Sequence, residues 1–497
     1  MSTTRAPLLA ALFALAAAAT APAGPAATAH EREALVLSET GKDIHGEVIE
    51  ARGAARLYRF RIPDDAVQVD VSVQNAEGAV DLLAVCGDTP PESEEDWSWG
   101  AEAEGDRASL SLTRHAESDL RSGPFLVEVR PDDPAGHHGA RRSLPFTLRV
   151  DTVRLSPPRA IAPGSFEDST APEAGHRRDF SFEVPARASA LRIDLVDAER
   201  DLDLLLSPKA PPLDRDAAQW SAATALGRES LVLDAAALKG LSSSRRLYLA
   251  VVDPSLYDAP VRFRVAITQG SDPPAEALVL PPLPVPSDPR ERALASVVEI
   301  VAGDGSGSGT IVRDDGLILT ARHVIGDRTG EHGDIAVAMD LDPTAVTHDL
   351  FHAKVVESDP ELDVVLLRIT SGLYDQPLPK GYRFPACPVA FDGLPHLGDE
   401  LVTIGFPEPG GVGTRAPVMY SRGVVAGFER EKAGLRLKTD AFVAGGSSGG
   451  AALDARFRLV GVPVFTMSDS DHSTSLGFLV PVMELPKRWR EMIEKPD

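Results

Sequence analysis

Three segments between residues 306 and 453 contain the side chain types needed for nucleophilic catalysis, in the order histidine, aspartate, serine. His323 ends a Thr-Ala-Arg-His stretch, Asp363 precedes an apolar run, and Ser447 and Ser448 lie among four glycines. A serine hydroxyl is a weak nucleophile at neutral pH and needs a base within hydrogen-bonding reach. Imidazole can take and return that proton, and a carboxylate can orient the imidazole. The three segments therefore predict acyl transfer if the fold brings them together.

Each segment on its own also has an ordinary structural interpretation. A Gly/Ser cluster is more often a flexible loop than a nucleophile loop. Asp363 at the mouth of a buried strand needs a cap or an ion pair, because an unpaired buried carboxylate is costly. The elements that must position these residues are strands. Two apolar strands flank the hairpin turn 314–316, the second ends next to His323, and another begins after Asp363.

The order of the three residues distinguishes between known catalytic arrangements. The order His, Asp, Ser within about 200 residues is the order found in chymotrypsin-like proteases. Subtilisins and α/β-hydrolases have the same three residues in other orders. Residues 290–490 resemble a trypsin-like serine protease of the high-temperature-requirement type. The segments that carry this resemblance are Gly307–Val324, Asp359–Ile369, Gly398–Pro407, Thr439–Gly450, Leu459–Val462 and Gly477–Pro481.

This resemblance implies two six-stranded antiparallel β-barrels with the active site in the cleft between them, and no cofactor. It implies His323 as the base, Asp363 as the orienting acid and Ser448 as the nucleophile, with the N–H groups of Gly446 and Ser448 as the oxyanion hole. Ser447 is the rival nucleophile. It stands where the family has Asn or Asp, so formation of the oxyanion hole could depend on substrate.

Two further departures concern regulation. No PDZ-type peptide-binding domain follows the protease region in the sequence, so we expect no adaptor-driven regulation of trimers. No Ile-Val-Gly-Gly start is present either, so activation by cleavage is not predicted.

The resemblance also points to residues around the primary specificity site. None of them is acidic, so we expect medium-sized apolar side chains at the cleaved position and no strong preference for Lys or Arg. For at least half of them, membership of the barrel core is the alternative role. The six residues are Phe442, Val443, Val464, Phe465, Thr466 and Met467.

Residues 36–152 and 160–269 look like two copies of one domain, with a period of about 120 residues. The stretches Leu57–Pro63 and Asp179–Pro185 both alternate like half-buried strands, and Asp-Leu-Leu begins 18 residues after the proline of each. Short β-branched and aromatic strands between polar turns predict β-sandwiches. Both copies resemble the jelly-roll-like pre-peptidase C-terminal domain of secreted proteases, although here they precede the catalytic region.

Calcium binding and disulfide bonding are open questions in the sequence. Asp81, Asp201 and Asp203 could hold calcium, but no spaced ligand loop surrounds them, so we favour strand-end roles and predict no metal site. Two cysteines, Cys86 and Cys387, cannot form a disulfide framework or a cysteine-based zinc site. We expect them to be buried or unpaired, and a bridge between domains stays an alternative.

Residues 1–29 have the layout of a secretory signal, with Arg5, an apolar run over Leu8–Ala19, and small residues up to Ala29. The run is shorter than the roughly 20 residues that span a bilayer, and no later segment is apolar enough. We expect cleavage near Ala29 and export to the periplasm or the medium. A disordered Ala/Pro-rich tail is the alternative. Residues 270–289 are proline-rich and predict a semi-rigid linker.

The composition limits the partners. The 497 residues include 74 acidic and 50 basic side chains, and the formal net charge of −24 disfavours nucleic acid and anionic membranes. We therefore expect a secreted serine endopeptidase with protein or peptide substrates and two accessory β-sandwiches that bind substrate or a surface. A catalytically silent binding protein with the same fold and an esterase are the alternatives. The order of the triad disfavours the esterase, and the oligomeric state cannot be predicted.

Overall fold

The computed structural model describes most of the chain after the predicted signal sequence, which lies outside the described residues together with several internal segments. The residues described are 36–49, 55–91, 96–102, 105–115, 118–131, 143–224, 228–241, 245–254, 259–303, 305–326, 335–343, 347–407, 417–468 and 475–494. In these ranges no helix combines the length and apolar character needed to cross a membrane.

The first β-sandwich consists of a five-stranded and a four-stranded sheet that share one hydrophobic core. The five-stranded sheet has the order β1 (Val36–Leu37), β3 (Arg56–Ile62), β8 (Gly123–Pro131), β5 (Val80–Cys86) and β6 (Trp99–Ala101). The four-stranded sheet has the order β2 (Asp43–Ile49), β9 (Ser143–Arg154), β4 (Ala66–Gln74) and β7 (Ala108–Thr113). Alternation along β3 buries Phe60 and Ile62 and exposes Arg61, as a sheet with one face on a core requires.

The second β-sandwich has the same topology as the first. Its five-stranded sheet has the order β10 (Arg159–Ala160), β12 (Arg177–Glu183), β17 (Arg246–Val252), β14 (Asp203–Ser207) and β15 (Trp220–Ala222). Its four-stranded sheet has the order β11 (Ser165–Ser169), β18 (Arg262–Gln269), β13 (Leu191–Ala198) and β16 (Glu229–Leu233). The short helix α1 (Ala235–Lys239) follows β16. Every strand of one sandwich thus has a counterpart in the other, nine strands further along the chain.

The remaining strands form two closed six-stranded antiparallel barrels, as in the chymotrypsin fold. The first barrel has the order β19 (Val297–Ala302), β20 (Gly305–Arg313), β21 (Leu317–Ala321), β24 (Val364–Gly372), β23 (His348–Asp359) and β22 (Ile335–Met339). The second has the order β25 (Glu400–Gly405), β26 (Met419–Arg430), β27 (Leu435–Thr439), β30 (Ser475–Pro481), β29 (Leu459–Ser468) and β28 (Ala451–Leu453). The predicted hairpin at 314–316 joins β20 to β21, where Gly316 has the positive φ that its turn requires.

In the described part of the barrel region three α-helices accompany the strands, namely α2 (Pro289–Ser296), α3 (Arg322–Ile325) and α4 (Lys487–Glu494). One hydrophobic cluster includes Leu366 of the first barrel, Val462 of the second and Trp489 of α4, so the two barrels share a core. The helix α4 also returns to the first barrel, because Arg313 donates a hydrogen bond to its Met492 carbonyl at 2.6 Å.

The chain divides into two units, the first containing the first sandwich, and the second containing the other sandwich and both barrels. Within the second unit, the proline-rich segment 270–289 packs along the first barrel. Its Leu280 and Leu283 are partly buried against the shared core, and its Pro281 carbonyl accepts a hydrogen bond from Tyr382. This segment is therefore held on the barrel surface at several points.

The structure shows the surroundings of the aspartates considered for calcium binding and of the two cysteines considered for a disulfide bond. Asp81 lies in β5 near Arg130, at 3.8 Å between Oδ2 and Nε, and Asp203 begins β14. Among the described residues no group of three or more His, Cys, Asp or Glu side chains is arranged to hold a metal ion. Cys86 and Cys387 are free thiols, and burial raises the pKa of Cys387 to about 12.

Glu229 of β16 is a buried carboxyl whose titration affects stability. Burial raises its pKa to about 8, although Thr224 opposes this by donating from its N and Oγ1 at 2.7 and 2.6 Å. The carboxylates of Asp203 and Asp349 raise it further. At pH 7 the folded state therefore holds a proton that the unfolded state has released.

We expect the stability of the second unit to fall as the pH rises from about 5 to about 8, since the folded state binds more protons than the unfolded state in this window. Glu229→Gln should flatten that slope, because the amide keeps an acceptor for Thr224 but does not titrate. Denaturant unfolding across this pH range measures it. Glu183→Gln, an exposed change in the same sandwich, is the control. An unchanged slope in Glu229→Gln would contradict the assignment.

Candidate active site

The register of the first barrel brings His323 and Asp363 together. His323 lies in α3, directly after β21, and Asp363 directly precedes β24. These two strands pair antiparallel with Ala321 opposite Val364, so both residues leave the barrel at the same edge. Asp363 Oδ2 is 2.6 Å from His323 Nδ1, and Asp363 Oδ1 accepts the backbone N–H of His323 at 3.1 Å.

Both oxygens of the Asp363 carboxylate are thus used to orient His323. A carboxylate can only accept, so Nδ1 carries the proton and Nε2 is left as the basic nitrogen. The Asp363 carbonyl accepts a further bond from Arg322 N at 3.0 Å. Asp363 has a φ of 61°, a left-handed conformation that costs energy in a residue other than glycine and is held here by these bonds.

The turn before Asp363 is stabilised by Asp359. Its Oδ1 accepts the N–H groups of Glu361 and Leu362, each at 3.0 Å. Leu362 is buried in the shared core, so the turn is anchored from inside. Asp359 therefore positions the backbone from which Asp363 projects.

The predicted nucleophile loop consists of two consecutive turns that share Ser447. In the first, Ser447 N donates to Ala444 O at 3.0 Å, and Gly446 has a φ of 84°. In the second, Gly450 N donates to Ser447 O at 3.1 Å, and Gly449 has a φ of 85°. A positive φ at the third residue only, with this hydrogen bond, identifies both as type II turns.

The hydrogen bonds of the loop leave specific backbone donors available. Ala444 N donates to Ser447 Oγ at 3.2 Å and Gly449 N donates to Pro463 O at 2.8 Å. Within the described part of the chain, the N–H groups of Gly445, Gly446 and Ser448 bond to no other residue. The N–H groups of Gly446 and Ser448, which the sequence predicted as the oxyanion hole, are therefore available to bind a ligand oxygen.

The two serines of the loop have different environments. Ser447 is 7% exposed, and its hydroxyl accepts the Ala444 N–H inside the loop. Ser448 is half-buried, and its hydroxyl donates to the carbonyl of Val464 at 3.4 Å. This difference favours Ser448 over Ser447 as a group that can meet a substrate. Among the described residues, no hydrogen bond joins Ser448 to His323.

The loop rests on the strand that leads to His323. A Cβ atom built at Gly449 would lie 2.8 Å from the backbone nitrogen of Ala321 and would overlap Thr320 Oγ1. The structure therefore places the serine loop, which precedes β28 of the second barrel, against the end of β21 in the first. This contact brings the third predicted segment next to the other two.

Sequence reasoning did not single out two residues of this contact. Ser308 of β20 hydrogen-bonds to the loop through both its hydroxyl and its backbone nitrogen, and Thr320 of β21 bonds to the Ser308 carbonyl. Both side chains are fully buried, although serine and threonine are usually exposed. The sequence signal was a serine enclosed by glycines at 307–309, which by itself does not show what the hydroxyl bonds.

The residues predicted around the specificity site fall into two groups. Val443 and Val464 are buried, and Val464 belongs to the shared core. Phe442 and Phe465 are 49% and 38% exposed, and the Phe465 ring stacks on Phe478 at 4.4 Å between centroids. Thr466 and Met467 continue β29. The exposed pair is thus accessible to a ligand, whereas the buried pair supports the barrel.

Comparison with known proteins identifies the family of this region. Residues 307–462 match the family model of the trypsin-like peptidase domain. This region is a trypsin-like peptidase domain. The resemblance inferred from the sequence is therefore confirmed for this part of the chain.

Several proteins of known name are similar to the same region. "Protease Do-like 1, chloroplastic" of Arabidopsis thaliana is 32% identical over 36% of this chain and 37% of its own length. A "Probable periplasmic serine endoprotease DegP-like" of Bartonella henselae is 29% identical over 38% of this chain and 33% of its own length. The crystal structure of the serine endoprotease from Yersinia pestis is 27% identical, covers 43% of this chain and 69% of its own, and has a TM-score of 0.32. The chain thus spans less than half the length of the two named relatives.

We expect Gly449→Ala to destabilise the second unit by about 1–3 kcal/mol, because alanine is strained at a φ of 85° and its Cβ meets Thr320 and Ser308. Gly445→Ala is the matched control in the same loop. It has no positive φ and open space at its Cβ, so it should be neutral or stabilising. Denaturant unfolding measures both, and equal stabilities for the two variants would refute the packing described.

Proposed function

We propose that the protein is a secreted or periplasmic serine endopeptidase that cleaves peptide bonds through an acyl-enzyme intermediate. In this proposal His323, Asp363 and Ser448 are the catalytic residues. The single observation that best supports this proposal is that the Asp363 carboxylate contacts His323 twice, at 2.6 Å to the ring nitrogen Nδ1 and at 3.1 Å to the backbone nitrogen. The trypsin-like peptidase domain over residues 307–462 supports the same reaction class.

The reaction begins with Ser448 Oγ attacking the carbonyl carbon of the scissile bond while His323 Nε2 takes its proton. Before this, the Ser448 side chain turns from the Val464 carbonyl toward the imidazole. The negative charge that develops on the substrate oxygen is bound by the N–H groups of Gly446 and Ser448. His323 then gives the proton to the leaving amine, and water releases the acyl group by the reverse sequence of steps.

The substrates in this proposal are proteins or peptides with a medium-sized apolar residue at the cleaved position. Phe442 and Phe465 would provide the exposed apolar contacts, and Val443 and Val464 would form the wall behind them. Thr466 and Met467, which follow Phe465 in β29, would continue the backbone along which the peptide lies. No acidic group among these residues would favour Lys or Arg.

The β-sandwiches are proposed as accessory domains over residues 36–152 and 160–269, related to pre-peptidase C-terminal domains, that bind substrate or a surface. Residues 270–289 link them to the protease domain at 290–497. The predicted signal sequence and the periplasmic name of one relative support export. Peptide-library cleavage by the exported chain would address specificity directly.

A fluorophosphonate probe should label the wild-type protein at Ser448, because only an activated serine attacks such a probe at an appreciable rate. Ser448→Ala should abolish labelling, and His323→Ala should slow it about 10⁴-fold or more. Ser447→Ala should still be labelled. Labelling that disappears in Ser447→Ala and persists in Ser448→Ala would reverse the assignment, and an unlabelled wild type would favour the catalytically silent alternative.

Asp363→Asn should lower kcat by about 10⁴-fold, because an amide in this place can present an N–H to Nδ1 and stabilise the wrong tautomer. Asp359→Asn is the matched control, since the asparagine oxygen can still accept both backbone N–H groups of the turn. Steady-state kinetics on a cleavable peptide compare the two. Equal losses in both variants would show that negative charge near the imidazole, and not the tautomer, is what Asp363 provides.

A further inference from the structure

Ser308 in β20 forms hydrogen bonds to three different segments next to the proposed active site. It is fully buried. Its hydroxyl donates to Gly446 O at 2.7 Å and accepts the N–H of Phe406 at 2.9 Å. Its backbone N donates to Ser448 O at 2.8 Å, and its carbonyl accepts from Thr320 Oγ1 at 2.5 Å. One residue thus bonds to the nucleophile loop, to the end of β25 and to β21.

The two hydrogen bonds from Ser308 to the loop reach the Gly446–Ser447 and Ser448–Gly449 peptide groups. Between them lies the Ser447–Ser448 peptide group, which carries the N–H of Ser448. The Gly446–Ser447 peptide is held at its carbonyl by Ser308 Oγ and at its nitrogen by Ala444 O. The Ser448–Gly449 peptide is held at its carbonyl by Ser308 N and at its nitrogen by Pro463 O. With both neighbours fixed, the orientation of the peptide between them, and of its free N–H, is fixed as well.

We propose that Ser308 is the positioning residue of the oxyanion hole and that Thr320 couples it to the strand that leads to His323. This inference rests on the proposed function. A loop with four glycines in six residues has many accessible conformations, and hydrogen-bond donors accelerate a reaction only if they are oriented before charge develops. The hydroxyl of Ser308 restricts the loop to the conformation in which those donors are free.

The alternative is a purely structural role, in which Ser308 only satisfies buried backbone groups at the contact between the barrels. The two roles predict different effects. A positioning role affects the transition state, so kcat falls while KM is retained. A structural role lowers stability and changes activity only through the amount of folded protein.

The chain offers a matched control at Thr310. It lies on the same strand two residues further on, and its side chain is fully buried like that of Ser308. Its hydroxyl has no hydrogen-bond partner in the described part of the chain. Thr310→Val therefore removes a buried hydroxyl from β20 without removing a contact to the loop.

The first test is steady-state kinetics of the full chain on a cleavable peptide. Ser308→Ala should lower kcat by about 10- to 100-fold with KM within about threefold, less than the loss of an oxyanion donor itself. A peptide aldehyde, which forms an oxyanion on the enzyme, should bind more weakly by the same factor as kcat/KM falls. Thr310→Val should match the wild type. A kcat for Ser308→Ala within twofold of Thr310→Val would overturn the proposal.

Thr320 variants keep the test decisive if Ser308→Ala does not fold. Thr320→Val preserves volume but removes the bond to the Ser308 carbonyl. It should lower kcat by about threefold to tenfold, which is less than the effect of losing an oxyanion-hole donor. Thr320→Ser keeps the hydroxyl and should retain the wild-type kcat. Equal kcat values for Thr320→Val and Thr320→Ser would contradict the coupling.

Amide hydrogen exchange separates this inference from the proposed function, because it needs no activity. In Ser308→Ala, exchange should accelerate at the bonded amides of Ser447, Gly449 and Gly450, with the rest of the barrels unchanged. Thr310→Val should leave these amides as they are. If the wild type neither cleaves peptides nor reacts with a fluorophosphonate, the proposed function fails, and exchange still decides whether Ser308 orders the loop. Unaltered exchange in Ser308→Ala would refute that role.

Discussion

The close contact between the serine loop and the first barrel is the constraint on which the rest of the protease domain depends. The loop lies so near to β20 and β21 that a Cβ at Gly449 would overlap Thr320 Oγ1 and the Ser308 carbonyl. On its other side it lies against β25 of the second barrel, where a Cβ at Gly450 would overlap the Ile404 carbonyl. At this distance the fully buried backbone polar groups must find partners, because an unpaired buried group costs about 1–3 kcal/mol. The pairing of those groups leaves the N–H groups of Gly446 and Ser448 free to face a ligand.

The two halves of the site use different physical means. On the histidine side, charge and register act together, since antiparallel pairing places Asp363 next to His323 and the carboxylate then binds both the ring and the backbone. On the serine side, neutral hydrogen bonds and steric exclusion act, since the loop holds itself through Ser447 and is held from outside by Ser308. The shared core of the two barrels keeps both sides in place.

Much of the fold could be predicted from residue patterns. The hairpin at 314–316, the buried strand after Asp363 and the closed barrels follow from apolar runs, turn residues and the family resemblance, and the structure confirms them. Burial of individual side chains could not be predicted, because Val443 and Phe442 are adjacent apolar residues, yet one is 4% and the other 49% exposed. The packing of the proline-rich segment on the barrel through Leu280 was also missed, because proline content alone indicates only an extended chain.

The sequence by itself determined the order of the chemical groups, since His323, Asp363 and Ser448 could be selected from their neighbours and their succession along the chain. It also determined the repeated sandwiches, because their strand patterns recur within the chain. Only the tertiary structure decided which hydroxyl is enclosed and which is accessible in the serine pair, and which buried side chain binds the loop. The reason is that burial and contacts of this kind depend on how separate segments pack together, and Ser308 and Gly446, which share a hydrogen bond, lie 138 residues apart. No local pattern records such a bond.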